Sequence, residues 1–221
     1  MNFRIGTRGR RITGFGVLSL AAVAAAVLGL ARAEPGPAPD AKAADPPPGD
    51  LLIAAARIQD PRFHHTVILL LRHDKDGAFG VVINRPVGER SIADLLAAAG
   101  DAKKPKSPVP EGTIRIFAGG PVQPELGFVV HSAEYRRDST LPVDDQVAMT
   151  ASREVLRDIG LHRGPGKSLF ALGYAGWGAG QLEAEIARHD WFTAPDDPQL
   201  VFDDDRSDVW QHALSRRLRE L

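Results

Sequence analysis

Hydrophobic positions in this chain fall in short, dense blocks separated by Gly, Pro and Asp, and only a few stretches repeat with a helical period. Leu51 to Ala56 (LLIAAA) reads as a short strand, broken by Asp60-Pro61. Thr66 to Arg72 (TVILLLR) is a continuous apolar run of the kind a strand shows when both faces are covered. The turn residues His73 to Gly77 follow, and Phe79 to Asn84 (FGVVIN) returns as the partner, so the pattern predicts a long central hairpin. Thr113 to Phe117 (TIRIF), Gly127 to His131 (GFVVH) and Val147 to Met149 read as further strands, with a sharp Gly119-Gly120-Pro121 turn after the first and a polar crossing over 135–145 before the last. Helical spacing appears in three places besides the glycine-rich stretch described below. Ser91 caps a short helix running to Ala99 and stopped by Gly100, and Thr150 caps one over Ala151 to Ile159 stopped by Gly160. The last is capped by Ser207 and carries the stripe Val209, Trp210, Ala213, Leu214 and Leu218. Trp191 to Ala194 and Leu200 to Phe202 are short apolar segments of unassigned type.

The densest stretch is Lys167 to Glu183, KSLFALGYAGWGAGQLE. Leu169 to Leu172 reads as a strand, the glycines at 173, 176, 178 and 180 as a tight turn, and Gln181 as the start of an amphipathic helix. Strands outnumber helices, and both hairpins and helical crossovers join them. The expected fold is α+β (mixed α/β), a bent and largely antiparallel sheet with flanking helices.

The first 49 residues have another character. Four arginines (Arg4, Arg8, Arg10, Arg11) precede an almost charge-free run from Ile12 to Leu30 and an Ala31-Arg32-Ala33 site, the layout of a secretory signal cleaved after Ala33. An uncleaved membrane anchor is the alternative, and either places the rest outside the cytoplasm, periplasmic or secreted. Residues 34–49 (EPGPAPDAKAADPPPG) have no apolar period and read as an extended, unpacked Pro/Ala-rich tether, leaving 50–221 as the folded domain. The chain has 27 basic and 28 acidic residues, but five arginines and no acid lie in the first 33, so the remainder carries a net charge of −6. That balance lacks the cationic surplus that drives nucleic-acid binding. The absence of cysteine excludes disulfides, thiol nucleophiles and zinc–thiolate sites.

Candidate chemistry is sparse. The glycine stretch is neither a dinucleotide fingerprint, because Gln181 stands where a third glycine is needed, nor a phosphate loop, because Gly-Lys-Ser/Thr is missing. Tyr174, Trp177 and Gln181 could still line an anion site at the helix start, with Asn84, Arg85 and Gly120 facing the same cleft. Each has a plainer reading: a packed joint for the glycine stretch, a loop brace for Asn84 and Arg85, a fixed turn for Gly120. His131 ends an apolar strand and is the weak catalytic candidate, with an acid such as Glu183, though strand alternation points Ser132 away from it and no G-x-S-x-G elbow exists. His64 and His65 alternate in direction, which argues against joint chelation. Asp74 to Gly77 lacks the distal Glu of a calcium loop, and the Asp203 to Asp205 run reads as a solvated helix lead-in. No metal site and no cofactor are expected.

LIAAARIQDPRFHHTVILLLRHDKDGAFGVVINRP, FAGGPVQPELGFVVHS, the Thr150 to Arg153 helix start, LGYAGWGAGQLEAEI and WFTAP resemble the YqgE/AlgH family of bacterial proteins, from Leu51 to about Leu214. The resemblance implies a compact α/β domain whose bent sheet forms a pseudo-barrel. Family members are often labelled transcriptional regulators, without an established reaction or a DNA-binding motif, and the usual member has no leader and is taken to be cytoplasmic. The expected function is therefore an exported, non-enzymatic module binding a small anionic ligand or a protein partner. The alternatives are the regulator of the family label and a hydrolase using His131.

Overall fold

The computed structural model describes residues 45–100, 108–202 and 205–217. The leader, most of the tether and Leu218 lie outside them. Among the described residues no helix is long and apolar enough to cross a membrane.

Ten strands form one curled sheet: β1 (Leu51–Ala54), β2 (Val67–Asp74), β3 (Gly77–Val82), β4 (Pro86–Ser91), β5 (Thr113–Ala118), β6 (Val122–Ser132), β7 (Thr140–Pro142), β8 (Val147–Thr150), β9 (Ser168–Gly178) and β10 (Trp191–Ala194). Their order is β10-β1-β2-β3-β9-β6-β8-β7, with β5 on β9 and β4 on β5. Every pairing is antiparallel except β5 with β9. Among the described residues five helices flank the sheet: α1 (Ile92–Ala98), α2 (Arg153–Gly160), α3 (Gln181–Ala187), α4 (Pro198–Phe202) and α5 (Val209–Arg216).

The apolar run of β2 explains why the sheet has two covered sides here. Val67, Leu69 and Leu71 point into the inner core with Phe79, Phe128, Met149 and Tyr174, while Ile68 and Leu70 point outward to Ala78, Trp177, Leu182 and Trp191. All five are at most 2% exposed, so each contributes roughly 1.5–3 kcal/mol of burial. A second outer cluster packs α1 and α2 on β5 and β6 through Ile92, Leu96, Ile114, Val129, Val155 and Leu156.

Several expectations need correction. The glycine stretch is not a turn: β9 runs unbroken to Gly178, and only Gly180, at φ +74°, makes the corner before α3. Period-two patterning was hidden because glycine supplies no side chain to alternate. Pro86 to Ser91, which carried no strand assignment, form the exposed strand β4, and the 135–145 crossing contains β7, both edge strands whose burial pattern carries no period. Leu200 to Phe202 belongs to a helix. The caps of α2 and α5 are Ser152 and Asp208 rather than Thr150 and Ser207, whereas Ser91 caps α1 as expected, its Oγ accepting from the Asp94 amide. The tether's end is packed, not extended: Pro46 and Gly49 are buried, and the Gly49 amide donates to Leu70 O at 2.8 Å.

Candidate functional site

The corner where β9 enters α3 is built around one carboxylate. Only two residues separate the end of β9 from the start of α3, so the helix's second turn lies back over the strand. Glu185 Oε2 accepts from the indole nitrogens of Trp177 and Trp191, each at 2.8 Å, and its Oε1 accepts from Gln181 Nε2 at 2.9 Å. Gln181 Oε1 in turn accepts the Gly178 amide at 3.0 Å. The two indoles meet edge to face with centroids 5.9 Å apart, and Phe63 does the same against Trp191 at 5.7 Å. Trp177 is 3% exposed. The indole expected to greet an outside anion already holds an anion of its own chain. Glu185 was missed in the sequence, although its i, i+4 spacing from Gln181 was a readable signal.

Tyr174 and Gly120 meet elsewhere. Gly173 has φ +72° and resets the alternation of β9, so that Leu169 and Ala171 before it and Tyr174 after it all face the inner core. Ala175 and Trp177 therefore face the outer side. Tyr174 and Trp177 are separated by the sheet itself and cannot line one cleft. The Gly119-Gly120 turn crosses directly over this reset. A Cβ on Gly120 would stand 2.1 Å from the Tyr174 carbonyl carbon, and one on Gly173 would stand 2.5 Å from Gly120 O. The crossing is main chain on main chain, so only glycine fits it. Tyr174 packs on Phe79 at 4.9 Å, and burial pushes its phenol above the ordinary range.

Asn84 and Arg85 serve a third place. Asn84 Oδ1 accepts from the Val67 amide at 2.9 Å and Nδ2 donates to His65 O at 2.9 Å. Arg85 Nη1 donates to Arg62 O and Nη2 to His64 O, at 2.9 and 2.8 Å. Together they hold the carbonyls of Arg62, His64 and His65 and the first amide of β2, leaving the side chains of Arg62, His64 and His65 exposed while Phe63 is half-buried and Thr66 fully buried. Arg62 forks onto Asp60, with contacts of 2.7 to 3.1 Å. The rings of His64, His65 and Trp210 stack in a ladder, with centroids 3.9 and 4.0 Å apart. The two histidines do not diverge as strand alternation predicts, because His65 has φ +54° in a turn. The six proposed ligand residues thus form three separate groups: Asn84 with Arg85, Gly120 with Tyr174, and Trp177 with Gln181.

His131 is fully buried. Its Nδ1 donates to Ser132 O and its Nε2 accepts from Thr150 Oγ1, both at 2.9 Å, and burial holds its pKa below the ordinary value. Glu183 is not its partner. Glu183 Oε1 lies 3.0 Å from His73 Nε2, a pairing that was not anticipated. The Ser132 hydroxyl donates to Glu134 instead. Both nitrogens of His131 are spent on structure, which removes the geometry a general base needs. Among the described residues no group of three or more His, Asp or Glu is arranged to hold a metal ion.

One acidic spot is under strain. Burial, reinforced by Asp144, Asp50 and Asp197, pushes the Asp196 carboxyl up to about 6, with Arg216 opposing. A carboxyl whose folded pKa is raised destabilises the fold above that pKa and ceases to do so below the unfolded value near 4. Stability therefore rises as the pH falls from about 6 to about 4 at this site. Asp196→Asn is expected to stabilise the protein at pH 7.5 by about 1 kcal/mol, since partial exposure screens most of the nominal shift. Urea melts at pH 7.5 and pH 4 would show that gain disappearing at the lower pH.

Comparison with known proteins extends over the same body. The AlgH-like family profile (DUF179) matches residues 51–220. A UPF0301 protein of Afipia carboxidovorans is 41% identical over 172 residues, covering 76% of this chain and 82% of its own. One from a Jannaschia species is 44% identical over 168 residues, covering 75% and 85%. The solution structure of the AlgH protein from Pseudomonas aeruginosa has a TM-score of 0.63 at 40% identity, covering 76% of this chain and 87% of its own. A crystal structure from Corynebacterium diphtheriae at 23% identity has a TM-score of 0.61, with 79% and 88% covered, and supports the fold alone.

Proposed function

This chain belongs to the AlgH-like family, and from that premise we propose that it is a non-enzymatic recognition module of the cell envelope, exported by its leader, that binds an acidic protein partner through the Asp60–Thr66 loop. The observation that carries the reading is the grip of Asn84 and Arg85 on that loop's carbonyls and on the Val67 amide just after it. A loop fixed from beneath by its main chain presents its side chains at little entropic cost on binding. Those side chains are Arg62, 63% exposed, Phe63 and the stacked His64 and His65. Arginine and aromatic groups are the usual anchors of protein interfaces. Arg62, exposed although forked onto Asp60, is the cationic group of this face, and on a chain with a net charge of −6 beyond its leader it favours an acidic partner. Export rests on the arginine-led apolar leader and its Ala31-Arg32-Ala33 site.

The test is site-specific photo-crosslinking from position 64 in growing cells, with fractionation of the same cultures. A discrete adduct is expected in the envelope fraction, on a chain beginning at Glu34 or retained in the membrane. Arg62→Glu combined with His65→Glu should abolish the adduct while leaving the melting temperature within about 2 °C, as surface changes usually do. An intact cytoplasmic chain beginning at Met1 would defeat the envelope assignment. An adduct insensitive to the charge reversal would defeat the loop.

A further inference from the structure

The tether does not simply leave the body: its last residues are fastened to it by a buried histidine. His73 stands near the end of β2 with its side chain 5% exposed. Its Nδ1 lies 2.8 Å from Pro46 O and its Nε2 3.0 Å from Glu183 Oε1. A proline carbonyl has no proton to give, and a carboxylate has none either. Both ring nitrogens must therefore donate, which only the doubly protonated imidazolium can do. A neutral ring would leave one contact facing lone pair to lone pair. The charged groups acting on the ring are Glu183 from α3 and Asp45 from the tether, both negative. Beyond Pro46, Gly49 turns at φ +101° and its amide joins Leu70 O, while the Leu70 amide donates to Asp50 O at 2.9 Å. Three prolines in a row are stiff, so a hold on Pro46 is passed along the chain to Gly49.

The geometry points to a proton-operated latch: protonated His73 clasps the Pro46–Gly49 segment against α3 through Pro46 O and Glu183, and loss of that proton frees the segment from the body. The direction of the balance agrees. Burial alone would lower the imidazole pKa, but the Pro46 carbonyl, the Glu183 hydrogen bond and the charges of Glu183 and Asp45 outweigh it and hold it above the ordinary value. A histidine raised in this way stabilises the docked state fully below the free-imidazole pKa, and that stabilisation is lost as pH rises through the docked pKa. The latch would set how far the body stands from whatever the preceding chain is attached to. The clasp itself does not depend on the partner or export readings above, and its test is made on purified protein.

The experiment follows the His73 ring by nitrogen-15 NMR in the full chain, together with exchange of the Gly49 amide, corrected for the intrinsic pH dependence of exchange. The expected result is a His73 midpoint above that of free imidazole, with Gly49 protection falling about tenfold or more through the same midpoint. Glu183→Gln is expected to lower the midpoint by about one unit or more, because it removes the adjacent negative charge. The latch is overturned by a His73 ring that is neutral at pH 6, or by Gly49 protection that ignores the titration. An unmoved midpoint in folded Glu183→Gln would also overturn it. Should that variant not fold, the titration and exchange of the wild-type chain decide the matter alone.

Discussion

Glu185→Leu is expected to lower stability by about 3–5 kcal/mol, because it removes one acceptor from two indoles at once. Trp177 and Trp191 each give Glu185 Oε2 their only hydrogen bond donor. Leucine leaves both N–H groups without a partner inside an apolar cluster, and each stranded donor costs about 1–3 kcal/mol. The lost link to Gln181 adds little, since Gln181 is exposed. For a folded body of this size the melting temperature should drop by about 10 °C or more. Glu185→Gln is the informative control: one amide oxygen can still accept from both indoles, so its loss should be under half as large. Equal stability of the wild type and the leucine variant in a guanidinium melt would mean that the carboxylate plays no part in holding this corner.

Gly173→Val is expected to be at least as damaging, costing about 4 kcal/mol or more. Two independent penalties meet there. A β-branched residue at φ +72° pays for a conformation it avoids, about 1–2 kcal/mol even for an ordinary L-residue. The added Cβ would also stand 2.5 Å from Gly120 O and 3.0 Å from Val122 O, both main-chain atoms that cannot swing aside. Gly178 is the contrast. It has no positive φ, and a Cβ there would meet only Gln181 Oε1 at 3.9 Å. Gly178→Val, which a turn reading marks as disruptive, should therefore change stability by less than about 1 kcal/mol. Expression with a native-like circular dichroism spectrum and a cooperative melt separates the two variants directly.

These two sites show where reading the chain succeeds and where it stops. The hairpin of β2 and β3, the cap at Ser91 and the strands at Thr113 and Val147 were legible because apolar clustering, turn residues and caps act over a few positions. The family was legible too, since its motifs are contiguous. The glycine stretch misled, because glycine is common both in turns and where two backbones cross, and the local pattern is the same. The crossing partner, Gly119-Gly120, lies more than 50 residues earlier in the chain.

The candidate site fared differently from the fold. Asn84 and Arg85 were singled out as unusual, yet their partners are main-chain atoms of a loop and of the first residue of β2, 17 to 23 positions away. Trp177 was singled out too, and its donor is consumed by Glu185 beneath α3. His73 drew no notice inside a turn-like HDKDG, although its two contacts lie 27 and 110 positions distant.

The amino-acid sequence by itself determined most of the buried elements, the apolar faces they must cover, the family and the acidic balance of the chain. Only the tertiary structure decided which polar groups remain open to a partner and which are spent inside. The reason is that burial of an apolar face is dictated by local period, whereas a hydrogen-bonding group takes whichever acceptor or donor chain closure brings within about 3 Å. Here closure gave the indoles to Glu185 and the His73 ring to the tether, and left the Arg62 and histidine side chains of one braced loop facing outward.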